Sequence, residues 1–275
     1  MLWQPTRGIL QPNQHWRRPQ GGSTYANAEA AAVAAAFTTP PDGAHASAID
    51  TLVGALKSAG TWTKMDVLYL LAAADSQAAR INWKNPGTNT LTVSGSPTFA
   101  ADSGYSSDGS TGYLDVGGAY GGFAQLVQDS AHLGAYTGGT LAGSGFWFPW
   151  GRSSGSGRYI LGSSVGSTSL TARLSTNTLQ TLSTSISAAN AHFVATRTSS
   201  SASEGYQNGS SVGTNASVST DIGSGNAWIL NSNGTFSDSG FIVRCVHFGS
   251  QLSATEVSDT YNAIHTYMQV IAGVA

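Results

Sequence analysis

The stretches 191-AHFVATRTSS-200, 206-YQNGSSVGT-214, 226-NAWILNSNG-234 and 239-SGFIVRCVHFGSQLSATEVSDTYNAIHTYM-268 decide the fold of this 275-residue chain. In the first, Phe193 and Ala195 alternate with His192, Val194 and Thr196. A period of two places alternate side chains on opposite faces of a strand. Asn208-Gly209 follows, a two-residue hairpin turn whose central positions both need positive φ. Phe241 to Phe248 is an apolar run broken by Arg244 and His247, which predicts a mostly buried strand. A helix starts after Gly249: Ser253 is its expected N-cap, with Glu256 three residues on to complete a capping box. Val257, Tyr261, Ile264 and Met268 share one helical face. Sheet strands closed by one amphipathic helix are therefore expected at this end of the chain.

Composition agrees with an all-β domain. Only 9% of residues are charged and the formal net charge is −2, yet 40% are hydrophobic and 9% aromatic, enough for a packed core. With 34 glycines and abundant Ser and Thr between short apolar runs, the chain reads as strands and turns. A surface so poor in charge favours association, so a homo-oligomer or larger assembly is expected. The one cysteine, Cys245, sits in an apolar strand and is read as a small core residue. No apolar run reaches the roughly 20 residues that span a bilayer, and the first residues do not form a signal peptide.

The last third resembles the C-terminal half of concanavalin A-like, laminin-G-like jelly-roll domains, most closely those of tailed-phage and prophage virion proteins. The residues that carry this are Val194 to Arg197, Tyr206 to Thr214 and Phe241 to Val257. A second block, Ala59 to Tyr69 with Ala73 to Trp83, Ser96 to Phe99, Gly104-Tyr105 and Asp108 to Asp115, resembles the N-terminal half of the same domain. Together the blocks cover about residues 38 to 270. The resemblance implies a two-sheet jelly-roll sandwich and a structural or accessory role in a phage particle, as head decoration, fibre or tail component. Its partners would be other virion proteins.

Residues 1–23 carry Trp3, Arg7, Trp16, Arg17 and Arg18 and three prolines, without helical or strand periodicity. They are read as an extended arm that anchors to a partner. Residues 24–62 are read as a helical linker: an Ala-rich helix from Tyr25 to Phe37, which needs outside support at that length, and a second from Ala44 to Ser58. Residues 63–275 form the jelly roll. Strands are expected at Val67–Ala73, Leu91–Val93, Tyr113–Val116 and Leu170–Leu174, where Thr171, Arg173 and Ser175 alternate outward.

The chemistry is marked by absences. Glycosidases on this fold use paired carboxylates flanking one bond, but the three glutamates, Glu29, Glu204 and Glu256, are scattered. Three G-x-S-x-G matches, from Gly151, Gly162 and Gly209, are expected by chance in so Gly/Ser-rich a chain, and none joins a strand to a helix. No enzyme activity is expected. His192 and His247 are read as sheet residues rather than zinc ligands. Asp102, Asp108 and Asp115 are weak calcium candidates, since aspartates beside Gly and Ser ordinarily form turns. No cofactor is otherwise expected. The slightly acidic chain lacks a basic stripe and a phosphate loop, which argues against nucleic acid. The alternative function is a carbohydrate-recognition module for host surface glycans. Aromatic rings that stack on sugar and amides that bond its hydroxyls give the candidates Trp147, Trp150, Trp228, Asn226, Asn231 and Asn233.

Overall fold

The computed structural model describes residues 25–139, 147–152, 159–163, 168–186 and 190–275. Two helices come first, α1 (Ala28–Ala35) and α2 (Gly43–Ser58). The strands follow as β1 (Met65–Leu70), β2 (Thr92–Ser94), β3 (Thr98–Ala100), β4 (Gly104–Ser106), β5 (Tyr113–Ala119) and β6 (Ala131–Gly138). Next come β7 (Trp147–Arg152), β8 (Tyr159–Ser163), β9 (Leu170–Leu174), β10 (Gln180–Ser183), β11 (His192–Ser199) and β12 (Ala202–Gln207). The chain ends with β13 (Ser210–Asn215), β14 (Asn226–Ile229), β15 (Asn231–Ser232), β16 (Thr235–Phe236), β17 (Ile242–Gly249) and helix α3 (Ala254–Ala272).

The strands form a two-sheet antiparallel sandwich. The first sheet runs β13-β12-β11-β6-β17-β4-β3, with β1 also on β17, and the second runs β10-β9-β8-β7-β14-β5-β2. Strand β17 pairs with β6 along one edge. Along its other edge it shares its length between β4, at Ile242 and Val243, and β1, from Cys245 to Gly249. Its even-numbered Val246 and Phe248 enter the inter-sheet core with Phe193 and Ala195 of β11 and Leu133 and Ala135 of β6. Phe248 is fully buried, with Phe123, Trp150 and Tyr120 rings 4.8, 5.1 and 5.4 Å from its own. The turn between β12 and β13 is the expected one: Asn208 and Gly209 have φ 50° and 78°.

The opposite face of the first sheet carries a helical layer. Leu68, Leu70, Tyr136 and Cys245 of the sheet form one apolar cluster with Ile49, Leu52, Val53 and Leu56 of α2 and Ile264, Tyr267 and Met268 of α3. Residues 25–62, within the segment read from sequence as a linker, thus pack on the sandwich through its outer face. The support that α1 needs comes from α2: the Asp50 carboxylate accepts the Ala26 and Asn27 backbone N–H groups, both at 2.9 Å, and so ties the residues that lead into α1 to α2. Helix α3 has the full capping box between Ser253 and Glu256, and Gly273 ends it with φ 60°. Glu256 also pairs with Lys64 at 2.6 Å, which ties the helix start to the segment entering β1.

Under α3 lies a row of buried imidazoles. His132 Nδ1 lies 2.5 Å from the Ser250 carbonyl, His132 Nε2 lies 3.0 Å from His247 Nδ1, and His247 Nε2 lies 2.9 Å from His192 Nε2. A carbonyl only accepts, so His132 donates through Nδ1 and must accept at Nε2. His247 then donates through Nδ1 and accepts through Nε2 from His192. The row ends at His192 Nδ1, an acceptor with no hydrogen-bond partner. Gly134 makes room for it: a Cβ there would sit 2.0 Å from the His247 ring. His132 and His247 are neutral in this arrangement, because one more proton on either would turn an acceptor into a donor facing another donor; at His192 burial disfavours the proton.

Burial holds His132 at about 4 and His192 at about 3, and drives His247 well below its ordinary value, with the neighbouring imidazoles adding to the effect on both His192 and His247. Above pH ~6.5 the rings are neutral whether the chain is folded or not. As pH falls through that value the unfolded chain takes up protons that the folded chain refuses. Stability then drops by up to roughly 1.4 kcal/mol per pH unit for each ring. His45 acts in the opposite sense. Desolvation lowers its pKa, but hydrogen bonds to Asp102 and Asp42 outweigh that and raise it, and it is a single ring at the surface. We predict a urea midpoint that falls steeply from pH 7 to pH 5, and a shallower fall for His192→Phe. An identical pH slope in wild type and variant would remove this account.

Candidate functional site

The two outward sheet faces differ. The first is covered by α1, α2 and α3, whereas among the described residues no helix lies over the second. On β14, Ala227 and Ile229 enter the core, which turns Asn226 and Trp228 outward; on β5, Leu114 and Val116 enter it, which turns Tyr113 and Asp115 outward. Register sets Trp228 opposite Asp115, and Thr92 of β2 lies on the other side of Asp115. The half-buried Trp228 and Tyr113 rings are 4.3 Å apart at 37°. The Asp115 carboxylate accepts the Gly117 N–H at 2.7 Å and so keeps its place at the edge of the pair. An aromatic platform flanked by an amide, a carboxylate and a hydroxyl results.

A hairpin, β15–β16, lies beside this platform. It comes close because β7 has Gly151 at the crossing point, where a Cβ would stand 2.0 Å from the Asn231 carbonyl oxygen. Its tip is an Asn-Gly turn with Asn233 at φ 53° and Gly234 at φ 82°. The Gly234 N–H donates to the Asn231 side chain at 3.0 Å, and the Asn233 N–H donates to the Arg152 carbonyl at 2.7 Å. Between the hairpin and strands β7 to β9 runs a groove of about 240 Å³. Phe148, Ile160 and Leu179 supply its apolar surface; Ser163, Thr171, Ser232, Asn233 and Thr235 supply hydroxyls and an amide. Arg152 and Arg173 are among its lining residues as well. Register places Arg173 opposite Ile160, while Thr171 sits opposite Gly162.

The candidates named from sequence separate. Trp228 and Asn226 lie on the open face, and Asn233 lines the groove. Asn231 is buried and holds the hairpin turn. Trp147 and Trp150 are in the core, which corrects the expectation that they stack on sugar. Residues three apart face opposite ways in a regular strand, but the β7–β8 register shifts between them, so both point inward. The Trp150 indole N–H donates to the Gly134 carbonyl at 2.9 Å, and Trp147 packs on Phe193 and Phe241 at 5.2 and 6.0 Å.

The calcium candidates do not converge either. The Asp108 carboxylate accepts the N–H groups of Ser110, Thr111 and Gly112 at 3.0, 2.9 and 2.8 Å; with the Thr111 hydroxyl bond, the largest influence, they hold its pKa far below the usual carboxylate range. Asp102 binds His45 at 2.9 Å. Among the described residues no group of three or more His, Cys, Asp or Glu side chains is placed to hold a metal ion. Trp3, Arg7, Trp16, Arg17 and Arg18 lie outside the described residues. Sequence reasoning missed Tyr113, Arg152 and Arg173 as site residues, although the outward alternation of Thr171 and Arg173 carried a signal.

No protein-family model matches the chain, and no curated protein matches it by sequence. Its fold does match solved structures. The sialidase of Trypanosoma rangeli, in complex with a difluorinated nonulosonic acid, superposes with TM-score 0.55 at 12% identity, over 81% of this chain and 40% of that one. The receptor-binding domain of the botulinum neurotoxin C/D mosaic serotype superposes with TM-score 0.54 at 8% identity, over 73% of this chain and 51% of that one. A botulinum neurotoxin type C structure, described as interacting with two ganglioside molecules, gives TM-score 0.53 at 11% identity, over 75% and 53%. The chain therefore shares a β-sandwich fold with these proteins and spans only about 40 to 53% of their length.

Placement in the core and on the surface gives the two kinds of tryptophan different costs. Trp150→Ala should destabilise the fold by roughly 3–5 kcal/mol, as large-to-small core changes do. Trp228→Ala should cost less than about half of that. Urea unfolding of both variants checks the order, and a reversal would contradict the placement.

Proposed function

We propose that this chain is a non-enzymatic carbohydrate-binding β-sandwich module whose ligand lies on the open face of the second sheet. The observation that carries this is the Trp228–Tyr113 platform beside a groove with both apolar and hydroxyl-rich walls. A sugar ring has an apolar C–H face and a polar rim, and this surface offers a partner to each. Sandwiches of similar fold include a receptor-binding domain and a toxin described with gangliosides, which supports glycan as the ligand class. Binding is favoured over hydrolysis because no Asp or Glu is among the described residues that line the groove, whereas glycoside cleavage uses a carboxylate pair. The sialidases of similar fold leave the reading unchanged, since an identity of 12% carries no catalytic residue across.

The test is a glycan array followed by titration with the best binder. Trp228→Ala should weaken binding by about tenfold, as loss of one aromatic stack of about 1.4 kcal/mol implies. The near-UV circular dichroism spectrum should survive. Unchanged affinity, or no glycan bound at all, would sink the proposal.

The sequence resemblance to tailed-phage virion proteins suggests the setting: a host-surface glycan binder displayed on a phage particle and attached through Trp3, Arg7, Trp16, Arg17 and Arg18. Protein lacking residues 1–23 should fold but fail to co-sediment with stripped particles. Equal co-sedimentation would remove the anchoring role.

A further inference from the structure

The helical layer carries a groove of its own, away from the open face. Two hollows of about 290 and 430 Å³ run between α2 and α3 and meet at Ala263 and Thr266. Ala48 and Thr51 of α2 and Val270 of α3 line the first, and Asp259 of α3 lines the second. Small side chains on both helices keep the space open. Val270 is 58% exposed, an apolar side chain left without cover at the groove's edge. Asp259, itself exposed, is the only charged residue among the described residues that line either hollow.

The described chain begins beside this groove. Tyr25 packs on the helical cluster, Asp50 holds the Ala26 and Asn27 N–H groups, and the Asn27 amide lies where a Cβ on Gly54 would stand 3.0 Å from it. Asp50 and Thr51 are neighbours on α2, so residue 24 leaves from the middle of that helix. Trp16 precedes Tyr25 by nine residues, a reach of up to roughly 30 Å. The 16 residues of α2 span only about 24 Å, so the whole groove is within that reach. The tether also makes the encounter intramolecular, at an effective concentration on the order of millimolar. Chemistry matches as well. An indole has an apolar body and one N–H that needs an acceptor, which suits an apolar hollow edged by threonine hydroxyls. Arg17 and Arg18 follow Trp16, and no acidic residue precedes Glu29, so the segment is positive where the groove is negative.

We infer that the groove between α2 and α3 is the docking site for residues 16–24 of the same chain, with Trp16 seated between Thr51, Ala263, Thr266 and Val270 and the adjacent arginines reaching toward Asp259. Docking here and attachment to a particle draw on the same residues, so the docked arm is the form of the chain free of that partner. The inference is independent of the carbohydrate-binding reading, because the groove and the platform belong to opposite faces of the sandwich.

Limited trypsin digestion of the full-length protein reads the docking, because the Arg17–Arg18 bond is a cleavage site and a docked segment is cut only while it is lifted off. Thr266→Trp, at an exposed position, fills the groove from the helix side. Cleavage after Arg17, timed by mass spectrometry, should be about tenfold faster in Thr266→Trp and in Trp16→Ala than in wild type. Unfolding midpoints confirm that the variants fold, and Trp16→Ala alters nothing in the described body, so it carries the test if Thr266→Trp does not fold. In a second measurement, Trp16→p-benzoylphenylalanine is irradiated and its adduct mapped, with a link to α2 or α3 inside a monomer as the expected result. Equal cleavage rates in wild type and Trp16→Ala overturn the inference, as does the lack of an adduct on these helices. An adduct that joins two chains overturns it in favour of arms exchanged between copies.

Discussion

Strand β17 has no solvent side, and the rest of the structure is arranged to satisfy that constraint. Its Val246 and Phe248 need the second sheet, and its Cys245 and His247 need the helical layer. Its edges need three different strands. A sandwich alone would leave Cys245 and His247 facing water. The helices are thus the third layer of one body, and α1, too short to hold itself, is retained because Asp50 ties the residues that lead into it to α2. The histidine row is a second consequence. A polar ring placed on the doubly buried strand must find polar partners in the same layer, and His132, His192 and the Ser250 carbonyl provide them.

Local signals were the most legible part of the fold. Asn208-Gly209, the Ser253–Glu256 box and the two-residue alternation of β9 and β11 each depend on a few adjacent residues, and each appears where its pattern predicted. The docking of α1 and α2 on the sheet was not legible, because a helix's apolar stripe states that it needs a partner without naming one. Nor was the histidine row, whose members are separated by 115 residues between His132 and His247 and by 55 between His192 and His247.

The site was read only in part, for a geometric reason. Trp228 sits directly between the core residues Ala227 and Ile229, so its outward direction follows from alternation although the β14–β5 register shifts between Asn226 and Trp228. Trp147 and Trp150 share a strand with a register shift, and such a shift reverses the parity of everything beyond it without leaving a local mark. The groove draws its walls from β7, β8, β9 and the β15–β16 hairpin, so no single stretch of sequence contained it.

Tyr25, the first described residue, packs against the helical cluster, as do Ile271 and Ala272 at the end of α3. The open face belongs to the other sheet, across the full thickness of the sandwich. Tyr25 and the last turn of α3 therefore lie behind the sandwich, on the side away from the platform and the groove. In the proposed carbohydrate-binding role, a glycan on the second sheet would leave the helical layer on the opposite face uncovered.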